Sequence, residues 1–132
     1  MQNWDKKIHV QSSLPPKEGQ YVMFVGRWQP LHKGHQSLFQ LALDEGKNIL
    51  ICIRDIQPDE KNPYSAEEVK TNIENHYLDM ENRVKVMIIP DICSIEFGRG
   101  VGYDIIERIP PQEIHDISAT KIREELRLQG KL

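Results

Sequence analysis

His32 and His35 stand three residues apart with Gly34 between them, at the end of the stretch Gly26-Arg27-Trp28-Gln29-Pro30-Leu31-His32-Lys33-Gly34-His35. An imidazole, neutral or protonated, donates hydrogen bonds to oxyanions. The stretch follows an apolar run, Tyr21-Val22-Met23-Phe24-Val25, and precedes a helical pattern that begins near Gln36. A strand that hands over to a helix here sets backbone N–H groups and the positive end of a helix dipole beside the two rings. Open α/β sheets bind phosphates at such a place. Gly34 allows close approach of the backbone to a ligand, and Pro30 limits chain freedom before the turn. Trp28 and Leu31 are expected to pack beneath it. Two other readings compete. The histidines can simply cap a helix. A metal site is weaker, because no Glu, Cys or third His stands nearby in sequence to complete a ligand set, and His9, His76 and His115 are scattered.

Positioning this turn requires a sheet, and the chain alternates strands with helices. Residues 20–25 read as strand one. Residues 36–45 read as helix one, with Leu38, Phe39, Leu41 and Ala42 on its buried face and Gly46 as its stop. The run Ile49-Leu50-Ile51-Cys52-Ile53 is short and rich in β-branched residues, as in a central parallel strand. Ser65 and Glu68 form a capping box for helix two, along which Val69, Ile73 and Tyr77 recur to about residue 80. Residues 84–89 and 92–97 read as strands three and four, 103–108 as a short helix, and 113–117 as strand five. A last helix opens at Ser118, with Ile122 and Leu126 on one face. The alternation predicts a doubly wound, five-stranded parallel sheet of Rossmann-like type with strand order 3-2-1-4-5 and right-handed crossovers. Residues 1–19 read as an arm with a short strand over 7–11, and residues 20–132 as the domain. On that strand order Cys52 and Cys93, both placed in strands, lie too far apart for a disulfide.

The start of the last helix offers a second place for anions. Ser118 and Thr120 carry hydroxyls there, beside the N–H groups of a helix start, and Arg123 adds charge. Taken alone, this is equally an ordinary N-cap.

The two segments together carry a resemblance. GRWQPLHKGH is similar to the GxFxPxHxGH signature of the HxGH-type nucleotidyltransferase superfamily, whose branch includes nicotinamide-mononucleotide, pantetheine-phosphate and glycerol-phosphate nucleotidyltransferases. The segment from Ile117 to Arg123 resembles the family's ISxTxIR pattern, about 85 residues further on. The resemblance covers roughly residues 20–128. It implies attack on the α-phosphorus of a nucleoside triphosphate by an oxygen of a second substrate, with pyrophosphate leaving. Such chemistry asks mainly for alignment and charge stabilisation. By resemblance His32, His35 and Arg123 are the catalytic set. Gly26, Arg27, Trp28, Gly34, Arg99, Ser118 and Thr120 then bind the nucleotide. Arg54, Lys61 and Lys33 are the options for a cation at the transition state. Mg²⁺ is expected to travel on the triphosphate, with no protein metal ligands. The sequence Arg27-Trp28-Gln29-Pro30 resembles the adenylyl branch more than the GTFDxxHxGH of the cytidylyl branch, which favours ATP over CTP. The segment from Asn62 to Glu68 resembles the NPF-led loop of archaeal-type nicotinamide-mononucleotide adenylyltransferases. The stretch 98–117 is shorter than in members where it builds the second-substrate pocket, so the small-molecule acceptor stays open.

Bulk properties agree with this class. A chain of 132 residues with 39% hydrophobic and 28% charged content has the composition of one ordinary globular domain. A net charge of −3 gives no global basic field for nucleic acid. No apolar run spans a bilayer, and the first residues lack the apolar core of a secretory signal, so a cytoplasmic enzyme without membrane partners is expected. A homo-oligomer is compatible with all of this. Two other function classes compete: a nucleotide-sensing module without turnover, and a fragment related to class I aminoacyl-tRNA synthetases, for which the chain is short.

Overall fold

Ile49, Ile51 and Ile53 alternate along one strand, so all three point to one side of it. Each is fully buried. They form the centre of the core in the computed structural model, which describes residues 5–10 by their backbone, and residues 20–96, 98, 104–108 and 118–132 in full. The elements in chain order are β1 (Asp5–Val10), β2 (Tyr21–Gly26), α1 (Lys33–Asp44), β3 (Asn48–Asp55), α2 (Ala66–His76), a 3-10 turn (Leu78–Met80), β4 (Val84–Pro90), β5 (Asp104–Arg108) and α3 (Ala119–Leu128).

β2, β3 and β4 form a parallel sheet with β3 in the middle. Tyr21 pairs with Asn48 and Gly26 with Ile53 across β2 and β3, while Ile49 pairs with Val84 and Asp55 with Pro90 across β3 and β4. That register puts Val22 and Phe24, the three isoleucines, and Val84, Val86 and Ile88 on one face. Phe39, Ala42 and Leu43 of α1 and Val69 and Ile73 of α2 join them in a single cluster. On the other face Tyr21, Met23 and Met87 are exposed.

The caps follow from local chemistry. Ser65 Oγ accepts from the Glu68 N–H, and Glu68 Oε1 accepts from the Ser65 N–H, each at 3.1 Å, which is the predicted capping box. α2 ends at His76, and the predicted continuation to residue 80 is a 3-10 turn. α1 starts at Lys33, earlier than the apolar pattern indicates, because His32 caps it.

The described residues form a three-stranded parallel sheet, whose order matches the 3-2-1 part of the predicted order. Two expectations are corrected. Residues 92–96 form no strand. Ser94 Oγ donates to Glu96 Oε2 at 2.7 Å and Ile95 is 70% exposed, so the β-branched residues there gain no buried face. Residues 104–108 form a strand where a helix was expected, and this strand pairs antiparallel with β1, Asp5 opposite Arg108 and Val10 opposite Asp104. Ile105 and Ile106 are β-branched and suit a strand, and the pairing supplies backbone partners to both chains. The predicted strand 113–117 and Arg99 lie outside the described residues. Cys52 is a buried free thiol within β3, whereas Cys93 is an exposed free thiol outside any strand.

Candidate active site

The first turn of α1 is capped by imidazoles alone. His32 is the N-cap, and its Nδ1 accepts from the backbone N–H of Gly34 at 3.1 Å and of His35 at 3.4 Å. His35, at the third helical position, returns the contact: its Nδ1 accepts from the His32 N–H at 3.2 Å. This is a capping box built from two histidines, where Ser or Thr and Glu or Gln are usual. The rings stack with centroids 3.6 Å apart and an interplanar angle of 19°. Because both Nδ1 atoms accept, the proton of each neutral ring sits on Nε2. A second proton would have to go to Nδ1 and would break a cap. Burial pushes His35 down to about 3, with the nearby His32 adding to the effect, and burial lowers His32 as well. Both rings are therefore neutral Nε2–H donors at neutral pH.

The loop before α1 is held from below. Trp28 adopts a left-handed backbone with φ of 52°, a strained state for a bulky residue. Its indole N–H donates to the Cys52 carbonyl at 3.1 Å, and its ring meets His35 and Phe39 edge-on at 4.8 and 5.2 Å. A Cβ at Gly26 would lie 2.9 Å from the Trp28 ring, so only glycine fits under it. Gln29 is buried. Its Nε2 donates to the Tyr64 carbonyl at 2.8 Å, and its Oε1 accepts from the Tyr64 N–H at 3.0 Å.

Across from this turn lies the start of α3. Ser118 Oγ accepts from the Lys121 N–H at 3.2 Å. Arg123 is buried, donates from Nη1 to the Gln29 carbonyl at 2.5 Å, and donates from Nη2 to Thr120 Oγ1 at 3.4 Å. Burial, with the guanidinium groups of Arg127 and Arg27, lowers the pKa of Arg123, as expected where cations crowd together. Between the two turns opens a cleft of about 520 Å³. It is lined by Gly26, Arg27, Trp28, Gln29, His35, Arg54, Lys61, Asn62, Thr120 and Arg123, among others. A hollow of about 300 Å³ shares Arg27, Lys61, Thr120 and Arg123 with it and adds Glu60, Glu124 and Arg127. A cleft lined by several cations and by the neutral His35 ring is suited to a polyanion.

Residues 23–89, half of the chain, match the model of the cytidylyltransferase-like family. The chain belongs to that family. It is 33% identical over 77 residues to a nicotinamide/nicotinic acid mononucleotide adenylyltransferase of Acinetobacter baylyi, a match covering 56% of this chain and 41% of that protein. An uncharacterised protein of Aeropyrum pernix is 28% identical over 92 residues, covering 67% of this chain and 54% of that protein. The chain thus spans about half or less of the length of these curated relatives. A solved bifunctional NMN adenylyltransferase/ADP ribose pyrophosphatase from Francisella tularensis is 32% identical, with a TM-score of 0.49 over 55% of this chain and 23% of the other. The same bifunctional enzyme complexed with AMP and a Mn ion gives a TM-score of 0.48 at 33% identity.

In this cytidylyltransferase-like chain the cleft brings together His35, Arg27, Trp28, Gly26, Thr120 and Arg123 with two of the three cation options, Arg54 and Lys61. Arg54 is not idle there. Its Nε and Nη2 donate to Asp91 Oδ1 at 2.9 and 2.7 Å. Lys33 is exposed on the first turn of α1 and does not line the cleft, and neither do His32, Gly34 or Ser118. Gly34 is buried in that turn and serves as a cap donor. Sequence reasoning missed Gln29, Asn62 and Arg127. Arg127 carried a usable signal, since it follows Arg123 by four residues and so shares its helix face. Gln29 carried none, because its partners are backbone atoms.

Proposed function

We propose that this protein is a nucleotidyltransferase that moves a nucleoside monophosphate, AMP from ATP, onto a small phosphorylated or hydroxyl acceptor. Residues 20–132 would be the transferase domain and 1–19 an arm. The observation that carries the reading is one cleft lined by the neutral His35 imidazole of α1, which His32 stacks on and caps, and by the Arg123–Thr120 pair of α3, with Arg27 and Lys61 beside them. The identity to an Acinetobacter adenylyltransferase supports the same reading.

The reaction forms a bond from an acceptor oxygen to the α-phosphorus and breaks the bond from that phosphorus to the bridging oxygen of pyrophosphate. A phosphate acceptor attacks as an anion, and a hydroxyl acceptor releases its proton to water. His35 donates its Nε2–H to the α-phosphate as charge gathers there, and His32 holds that ring in place by stacking on it and donating its backbone N–H to His35 Nδ1. Because neither ring starts as a cation, each offers a hydrogen bond without having to be protonated first. Thr120, Arg123 and the start of α3 hold the β- and γ-phosphates. Arg27 and Lys61, with Arg54 after it leaves Asp91, balance the charge of the leaving group. Among the described residues no three His, Cys, Asp or Glu side chains converge as a metal site. The donors of the cleft suit the triphosphate, on which a divalent cation such as Mg²⁺ would supply charge neutralisation.

CTP in place of ATP is the second reading, favoured by the family description. One screen decides both. Pyrophosphate release is measured with ATP, CTP, GTP and UTP, each crossed with a panel of phosphorylated metabolites. Release with ATP and one acceptor is expected. Binding without release for every pair would leave a nucleotide-sensing module instead.

A further inference from the structure

Gln29 is 4% exposed, and a buried side-chain amide needs partners for both its ends. Here both ends go to the backbone of one residue. Nε2 donates to the Tyr64 carbonyl and Oε1 accepts from the Tyr64 N–H, so the side chain pairs with residue 64 as a neighbouring strand would. The backbone carbonyl of the same Gln29 accepts from Arg123 Nη1. One residue of the first loop therefore bonds to two parts of the site, which Arg127 also joins directly by donating from Nη2 to the Glu60 carbonyl.

The part tied through Tyr64 is itself cross-linked by hydrogen bonds. Asp59 Oδ1 accepts from the Lys61 N–H, the Asn62 N–H and the Asn62 side-chain amide, at 2.8 to 3.1 Å. The Asp59 N–H donates to the Asn62 carbonyl at 2.9 Å. Lys61 rides on that turn and lines the cleft. Two paths thus connect it to Arg123: one through Tyr64 and Gln29, the other through the Glu60 carbonyl and Arg127 of the same helix.

We infer that Gln29 is a positioning residue that, beside the Arg127–Glu60 bond, sets the spacing between Lys61 and Arg123 across the cleft. The consequence for binding rests on the nucleotidyltransferase reading, whereas the clamp itself rests on geometry alone. The chemistry requires glutamine. A glutamate would set an anionic oxygen against the Tyr64 carbonyl, and an asparagine is one methylene too short to meet both backbone atoms. Gln29 touches no substrate in this role. It acts through the placement of two cations.

The test uses the full chain, with ATP and Mg²⁺ as the probe. Gln29→Met keeps the length and removes both bonds to Tyr64. Amide exchange across residues 59–65 is expected to rise by roughly tenfold or more, while α1 and β4 exchange as before. In a double-mutant cycle, Lys61→Ala should weaken ATP binding roughly tenfold in the unaltered chain and less than about threefold beside Gln29→Met. A residue with only a general structural role would leave the two substitutions additive. Unchanged exchange at 59–65, or full additivity, overturns the inference. If Gln29→Met does not fold, Gln29→Asn is read in the same way. An unaltered chain that binds none of the four triphosphates overturns the nucleotide reading, and the exchange measurement still decides the clamp.

Discussion

The two helix starts that face each other across the cleft solve one problem with different side chains. A helix start leaves N–H groups without intrahelical partners, and an anion can satisfy them. At α1 two imidazoles take those N–H groups, and each hands the donor function outward to its own Nε2. At α3 Ser118 accepts one N–H, and the charge comes from a buried guanidinium a turn later. The first end is neutral and sensitive to protonation. The second is permanently charged and sensitive to salt. Placing the neutral donors where charge develops and the fixed cations where charge already exists is a sound division for phosphoryl chemistry.

The largest effect expected from breaking this division is at His35. His35→Ala should leave a folded protein whose pyrophosphate release falls by about 10²–10³, the usual loss for one transition-state donor. Near-normal release from a folded variant would sink the proposed role of the α1 end. Next in size is Arg123→Ala at the other end. Charge-assisted bonds to a phosphate contribute about 1.5–3 kcal/mol each, so calorimetry should show triphosphate affinity reduced by roughly tenfold to a hundredfold. Unchanged affinity would remove Arg123 from the site.

Acid separates the ends more finely. The His35 pKa is about 3 in the folded chain, below its ordinary 6.5. Between these values the unfolded chain binds more protons than the folded one, so stability rises with pH through this range. The contribution of the neutral ring is complete above pH 6.5 and fades as pH falls toward 3. Thermal melts from pH 7 to pH 4 should therefore show a falling Tm. His35→Gln keeps the capping-box acceptor and does not titrate, so it should flatten that slope. An equal slope in the variant would place the acid sensitivity elsewhere.

Much of this comparison could be read from the residues, and what could not be read has a common cause. The α2 capping box, the parallel run of β2 to β4 and the opposition of His35 to Arg123 follow from local patterns and motif order. The clamp at Gln29 does not, because its partner is the backbone of Tyr64, and a backbone amide has no residue signature. The pairing of β1 with β5 joins residues nearly a hundred positions apart, and two isoleucines between charged neighbours do not announce a partner. For residues 92–96 the error ran the other way. They hold two isoleucines but form no strand, because propensity supports a strand only where a face is buried. Trp28 was read as a ligand contact and also as packing under the turn. It lines the cleft, but its indole is committed to Cys52, Phe39 and Gly26.

The smallest expected effect tests whether the α3 cap is structural or part of the anion site. Ser118 accepts one N–H, where His32 accepts two. Ser118→Ala should cost about 1 kcal/mol of stability, the typical loss for an N-cap, read as a modest fall in Tm. Ser118→Asp keeps a good cap and favours the helix dipole, so its ligand-free Tm should equal or exceed that of the unaltered chain. The same carboxylate sets a negative charge beside the place assigned to the β- and γ-phosphates, so nucleotide affinity should fall while stability holds. A cap with no part in anion binding would show the first effect without the second. Stability and affinity that move in opposite directions at one atom would place Ser118 beside the phosphates, the counterpart at α3 of the imidazole pair at α1.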